Sequence, residues 1–177
     1  MRTIETNVYN YDELSEEAKQ TALEKWGEMQ SEFGYNWGDE AIETLKKGID
    51  FLGGYLSNYS IDFAEPYRNS VTFTCNDMED HEELYLLIES MGAYNKDTLK
   101  GHGDCKLTGF CMDESFLDGV RIAYFQGERD KRELILAGIS QWENACREDY
   151  EYQFSEETLI ELAECNDYEY TEEGELI

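Results

Sequence analysis

Proline is nearly missing from this 177-residue chain: Pro66 stands alone, and the 14 glycines are dispersed. That pattern excludes proline-rich linkers, collagen-like repeats and a long flexible hinge. Positive charge is scarce as well. Fourteen Lys and Arg stand against 41 Asp and Glu, a formal net charge of −27. Such a field repels nucleic acid and anionic membrane and draws in basic surfaces, so direct binding to nucleic acid or a membrane surface is excluded and a cationic partner is expected. No apolar run approaches the ~18 residues of a membrane span. The first residues, MRTIETNVYNYDELSEE, lack the apolar centre of a signal peptide, which gives a cytoplasmic location as the expectation. Five cysteines (Cys75, Cys105, Cys111, Cys146 and Cys165) are odd in number and scattered, the opposite of a disulfide framework.

Enough apolar material is present to fold. Hydrophobic residues make up 41% and aromatic residues 14%, far above an acidic disordered tail. The length suits a single compact α+β domain over residues 1–177, helices packed on a small antiparallel sheet, with residues 1–100 and 101–177 as candidate sub-lobes and room for a small zinc-stabilised lobe. The charge is too dilute for mimicry of DNA over the whole surface. A 20.6 kDa protein exposes roughly 9,000 Å², about 220 Å² per acidic residue, whereas duplex DNA presents a phosphate per roughly 100 Å². Local concentration is therefore required. The segment from Glu143 to Ile177 supplies it, with 13 acidic residues against Arg147 alone. Its candidate contacts are Glu148, Asp149, Glu151, Glu156, Glu157, Glu161, Glu164, Asp167, Glu169, Glu172 and Glu173, with Tyr150 and Tyr152 as aromatic anchors.

Periodicity places the elements. A first strand is expected over residues 2–9. Ser15 followed by Glu16 and Glu17 caps a helix to about Gln30, with Ala18, Ala22, Trp26 and Met29 as its buried stripe. Residues Gly38 to Leu52 form a second helix, stopped by Gly53 and Gly54, that packs on the first. The period then falls to two. Tyr59, Ile61 and Phe63 mark one strand and Val71, Phe73 and Cys75 another, joined by a loop over residues 64–69. Further helices are expected over Asp80 to Met91, from a cap at Asp113 through Val120, over Asp130 to Asp149, and after a cap at Ser155. Residues Tyr168 to Ile177 return as a strand, and the alternation of ring and carboxylate over Asp149 to Phe154 reads as an edge strand.

Two constellations bear on chemistry. In GHGDCKLTGFCMD, two residues separate His102 from Cys105 and five separate Cys105 from Cys111, donors that suit a tetrahedral structural Zn²⁺. The fourth ligand is His81, with Asp104, Asp113, Cys75, Cys146 and Cys165 as alternatives; the plainer reading makes both cysteines small core residues. A Cys–His nucleophile pair is conceivable, but no nucleophile elbow, phosphate loop or dinucleotide pattern accompanies it. The expectation is a protein without enzymatic activity.

NYDELSEEAKQTALEKW near the start, CKLTGFCMDESFLD in the middle and WENACREDYEYQFSEETLIELAECNDYEYTEEGELI at the end resemble a widespread group of small acidic phage and prophage proteins, loosely labelled antitoxin-like. The resemblance does not extend to Trp37 to Gly103. It implies a mobile-element setting in a bacterial host cell, and there a protein this acidic looks like an inhibitor of host defence. The favoured form is an anti-CRISPR protein against a type II RNA-guided DNA nuclease, whose basic channel an acidic surface would occupy. The alternatives are an antirestriction DNA mimic and an antitoxin or regulatory module that caps a basic toxin.

Overall fold

The computed structural model describes residues 7–75, residue 86 and residues 107–177. Among them are helices α1 (Glu16–Phe33) and α2 (Gly38–Phe51), strands β1 (Gly54–Ser60) and β2 (Ser70–Cys75), and helices α3 (Met112–Phe125), α4 (Lys131–Gln153) and α5 (Glu156–Cys165). The class is α+β, as the patterning indicates. The chain divides into two compact units, Met1–Asn36 with Asp149–Ile177, and Trp37–Glu148. Neither boundary falls at residue 100.

The first unit is assembled from the two ends of the sequence. Ser15 accepts a hydrogen bond from the Ala18 N–H at 3.2 Å, and Ser155 accepts one from the Thr158 N–H at the same distance, so both Ser-Glu-Glu runs start helices by the same capping bond. Glu16 and Glu17 on α1, and Glu156 and Glu157 on α5, face the positive ends of the helix dipoles. Ala18, Ala22 and Trp26 recur at four-residue spacing and bury one face of α1 in a core shared with Leu159 and Ala163 of α5 and with Tyr11, Leu14 and Tyr170. Small alanines on α1 give room for the large rings. Tyr9 and Tyr170 exchange backbone hydrogen bonds of 3.0 and 2.9 Å, and a turn at Thr171 to Gly174 lets Leu176 bridge back to Tyr170. Gly174 adopts φ +87°, and a Cβ there would overlap the Ala18 carbonyl. Only glycine lets the chain press so closely on α1.

The second unit packs α2 against α3 and β1. Leu45 and Ile49 of α2, Phe116 and Val120 of α3, and Leu134, Ile135 and Trp142 of α4 are buried with almost no exposure. The Phe116 ring occupies the space where Gly48 on α2 and Gly138 on α4 carry no side chain. Strands β1 and β2 are antiparallel, from Gly54 opposite Cys75 to Ser60 opposite Ser70, with an irregularity between Leu56 and Asn58. Asp113 is buried and receives hydrogen bonds from Thr44 Oγ1 (2.6 Å), Thr108 N (2.8 Å), Thr108 Oγ1 (2.8 Å) and Gly109 N (2.7 Å). It thereby fastens the turn before α3 to α2.

Several expectations change. Asp113 lies inside α3, with Cys111 at the cap position, because its carboxylate reaches back to the loop N–H groups instead of to its own helix. The run Asp149 to Gln153 is the last stretch of α4 and no edge strand. Tyr150 and Phe154 meet one helical turn apart, with ring centroids 4.5 Å apart. The C-terminal strand reduces to single bridges at Tyr170. Ile61 and Phe63 fall beyond β1, and Phe63 meets the Trp142 ring edge-on at 6.4 Å. Helix α1 belongs with α5 in the first unit and α2 with α3 in the second. The strand expected over residues 2–9 lies mostly outside the described residues; of its residues Tyr9 forms a bridge. The helix expected over Asp80 to Met91 likewise lies outside them, apart from Leu86, which is helical and exposed. Among the described residues no helix is long and apolar enough to cross a membrane.

Candidate functional site

Charge is divided unequally between the units. The first carries 19 acidic and 3 basic residues in 65 positions, a net of −16, whereas the second carries 22 and 11 in 112 positions, a net of −11. The first unit is therefore more than twice as dense in uncompensated negative charge. Among the described residues it contains two ion pairs, Lys19–Glu16 (3.4 Å) and Lys25–Glu28 (3.3 Å). The second unit contains four among its described residues: Lys46–Glu43 (3.8 Å), Arg68–Glu65 (2.5 Å), and Arg121 with both Glu114 (3.0 Å) and Asp118 (3.3 Å).

Helical spacing orders these carboxylates. Glu157, Glu161 and Glu164 recur at i, i+4 and i+7 on the exposed face of α5, opposite the buried Leu159 and Ala163. With Glu156, four carboxylates occupy a ten-residue helix, which at 1.5 Å per residue is about 15 Å long, one charge per roughly 4 Å. A single strand of duplex DNA carries one per ~3.4 Å. Helix α5 thus matches one phosphate strand in linear charge density, although the average over the whole surface falls short.

Tyrosines hold some of these groups in place without neutralising them. The Tyr152 hydroxyl donates to Glu161 Oε2 at 2.9 Å, Tyr11 donates to Glu156 Oε1 at 2.9 Å, and Tyr35 donates to Asp149 Oδ2 at 2.5 Å. The bond to Glu161 favours the neutral phenol and raises the pKa of Tyr152. Burial, reinforced by the bond to Glu156, raises that of Tyr11 well beyond the ordinary range. A lysine in any of these positions would cancel the charge it oriented; a phenol leaves it intact.

Of the expected contact residues, Glu148, Glu151, Tyr152, Glu156, Glu157, Glu161, Glu164, Asp167, Glu169, Glu172 and Glu173 are exposed, while Asp149 and Tyr150 are half-buried. Glu148 falls in the second unit. Tyr150 faces Tyr35 at 6.1 Å and belongs to an aromatic cluster within the unit. Asp167 takes a left-handed conformation, φ +53°, as the chain leaves α5. The structure brings Asp12, Glu156, Glu164 and Asp167 to the walls of one concavity of about 470 Å³, floored by Ile160 and Ala163 and shared with Lys19 and Tyr168.

Sequence reasoning centred on the last 35 residues passed over α1. Glu17, Glu24, Glu28 and Glu32 lie on its exposed face at i, i+7, i+11 and i+15, in the same unit as α5. The signal was present in that spacing, but nothing in the linear order places residue 17 in the same compact unit as residue 157. Asp12 was missed for the same reason. Of the expected zinc ligands, His81, His102 and Cys105 lie outside the described residues, and Cys111 is exposed at the start of α3. Among the described residues no group of three or more His, Cys, Asp or Glu is arranged to hold a metal ion.

No protein-family model matches this chain, and no curated protein or solved structure matches it either.

Proposed function

We propose that this protein is a binding inhibitor which acts by occupancy, without chemistry of its own: its acidic first unit docks on the basic, nucleic-acid-handling surface of a protein partner and displaces the nucleic acid. The single observation that supports this reading most is the imbalance of 19 acidic against 3 basic residues in a unit that also has a packed aromatic core. Like charges at i and i+4 on a helix cost a few tenths of a kcal/mol per pair, and a cationic partner relieves that repulsion. A rigid scaffold adds specificity, because the carboxylates bonded to Tyr11, Tyr35 and Tyr152 need little ordering on binding. The resemblance to phage and prophage proteins makes an anti-defence role the setting, and a type II RNA-guided DNA nuclease the first partner to test. A structural zinc ion held by His102, Cys105, Cys111 and His81 is a separate proposal for the same chain.

The test uses the purified nuclease with its guide RNA and a labelled target duplex. The wild-type protein should exclude the duplex, and less effectively as salt rises. The triple variant Glu157→Gln/Glu161→Gln/Glu164→Gln should weaken inhibition about tenfold or more at low salt, since rim charges act mainly on encounter and salt dependence. The matched control Asp39→Asn/Glu40→Gln/Glu133→Gln removes the same charge from exposed positions of the second unit and should change inhibition far less. Equal effects of both triples, or of neither, would overturn the reading.

A further inference from the structure

Beside the acidic concavity lies an apolar one. A cavity of about 290 Å³ in the first unit is lined mainly by Trp26, Met29, Leu159, Tyr168, Tyr170 and Leu176, with one residue of each charge, Lys25 and Glu175, also in its lining. Tyr168 lines both spaces. Small-molecule pockets run from ~300 to 1,000 Å³, so this cavity sits at their lower edge; it suits one large side chain. Two of its lining residues are buried to more than nine-tenths yet keep an unmet polar atom: Trp26 Nε1 and Tyr170 Oη have no hydrogen-bond partner among the described residues. Buried donors left in that state are uncommon in a native fold. Backbone carbonyls flanking an inserted side chain are acceptors of the kind these two groups lack, reached by a modest shift of the lining rings.

What enters is constrained by charge. The unit is net −16, so an anionic occupant is repelled at long range and a cationic one is steered in. In the space that shares Tyr168, four carboxylates from Asp12, Glu156, Glu164 and Asp167 outnumber the single cation Lys19. We propose that the cavity is the anchor pocket for one large apolar side chain of a basic peptide segment, whose adjacent arginine or lysine enters the acidic concavity. This rests on the proposed function and specifies the partner's chemistry: an apolar residue set among basic ones. Affinity would then come from the buried anchor and selectivity from the carboxylates beside it.

The probes are two labelled peptides, one with four arginines around a central phenylalanine and one with alanine in its place, titrated against the full chain by fluorescence anisotropy at low and high salt. Burial of a phenylalanine side chain predicts that the first binds about tenfold or more tighter than the second. Leu176→Glu, at the exposed rim, is the decisive variant: it adds a negative charge and removes apolar lining. A purely electrostatic surface would hold both peptides slightly more tightly, whereas an anchor pocket loses its preference for phenylalanine. Tyr170→Phe keeps the ring and deletes the hydroxyl, and should weaken the phenylalanine peptide while leaving the alanine peptide unchanged. Equal, salt-sensitive binding of the two peptides would overturn the anchor pocket and leave the acidic surface standing. Absence of any salt-sensitive binding would overturn both. Binding of N-acetylphenylalanine amide as tightly as the peptide would make this a small-molecule site, against the proposal.

Discussion

Gln153 offers the sharpest test of how the first unit is held together. It is the last residue of α4, buried, and its side-chain oxygen accepts from the Asn36 N–H at 3.1 Å while its nitrogen donates to the Gly34 carbonyl at 2.9 Å and to Gln30 Oε1 at 3.3 Å. One amide thus satisfies the backbone where α1 ends, at a position where Gly34 has already turned to φ +74°. Gln153→Met keeps the length and removes all three bonds. At roughly 0.5–1.5 kcal/mol net per bond, the loss comes to about 2–4 kcal/mol. Gln153→Glu should be worse, because a carboxylate facing the Gly34 carbonyl replaces a donor with a repelling oxygen and adds charge to a unit already at −16. Urea unfolding reads the difference: with a slope of ~1–3 kcal/mol per molar, the midpoint should fall by about 1–2 M for methionine and further for glutamate. Hydrogen exchange followed peptide by peptide should place the loss in residues 7–36 and 149–177, with residues 37–75 protected as before. A methionine variant with an unchanged midpoint, or a glutamate variant as stable as the methionine one, would show that Gln153 does not fasten the end of α1.

Three further outcomes are expected. Asp113→Asn leaves at least one of the donors from Thr44, Thr108 and Gly109 facing an amide N–H, and should destabilise the second unit by about 2–4 kcal/mol in thermal or urea unfolding. Burial raises the pKa of Tyr11 and Tyr170 in the fold. The unfolded chain gives up those protons first, so stability is intact below pH ~10 and is lost above it, with tyrosinate absorbance rising together with unfolding. Asp118 and Glu143 are raised by burial as well; their neutral forms favour the fold, so the second unit should gain stability as pH falls from 7 toward ~5, and a melting temperature that drops over that range would contradict this. For the proposed zinc, elemental analysis of protein purified without chelator should give close to one ion per chain, and a value near zero dismisses the site.

Local signals carried the helices. Ser15 and Ser155 mark two starts, and the stripes Ala18–Ala22–Trp26 and Ile135–Ile139–Trp142–Cys146 are buried as their spacing implies. Helix α4 runs four residues beyond the expected Asp149, since Tyr150, Tyr152 and Phe154 suit a strand's alternation as well as a helix's faces, and packing decides between them. What linear order hid was partnership. The apolar face of α1 is completed by Leu159 and Ala163, more than a hundred residues away. The acidic site shares that property: its α5 part was legible as a cluster, while Asp12 comes to the same concavity only through the fold.

That discontinuity has a consequence for how the polypeptide is made. Residues 37–148 are contiguous and can compact as they leave the ribosome, whereas α1, synthesised before them, shows its Ala18–Ala22–Trp26 stripe to solvent until residues 159–170 have cleared the exit tunnel. At ~5–20 residues per second that interval is on the order of ten seconds or more, long enough for a chaperone that recognises nascent apolar helices to engage it. Stalled nascent chains ending before residue 159 should accordingly crosslink to such a chaperone through α1, and release it once α5 has emerged.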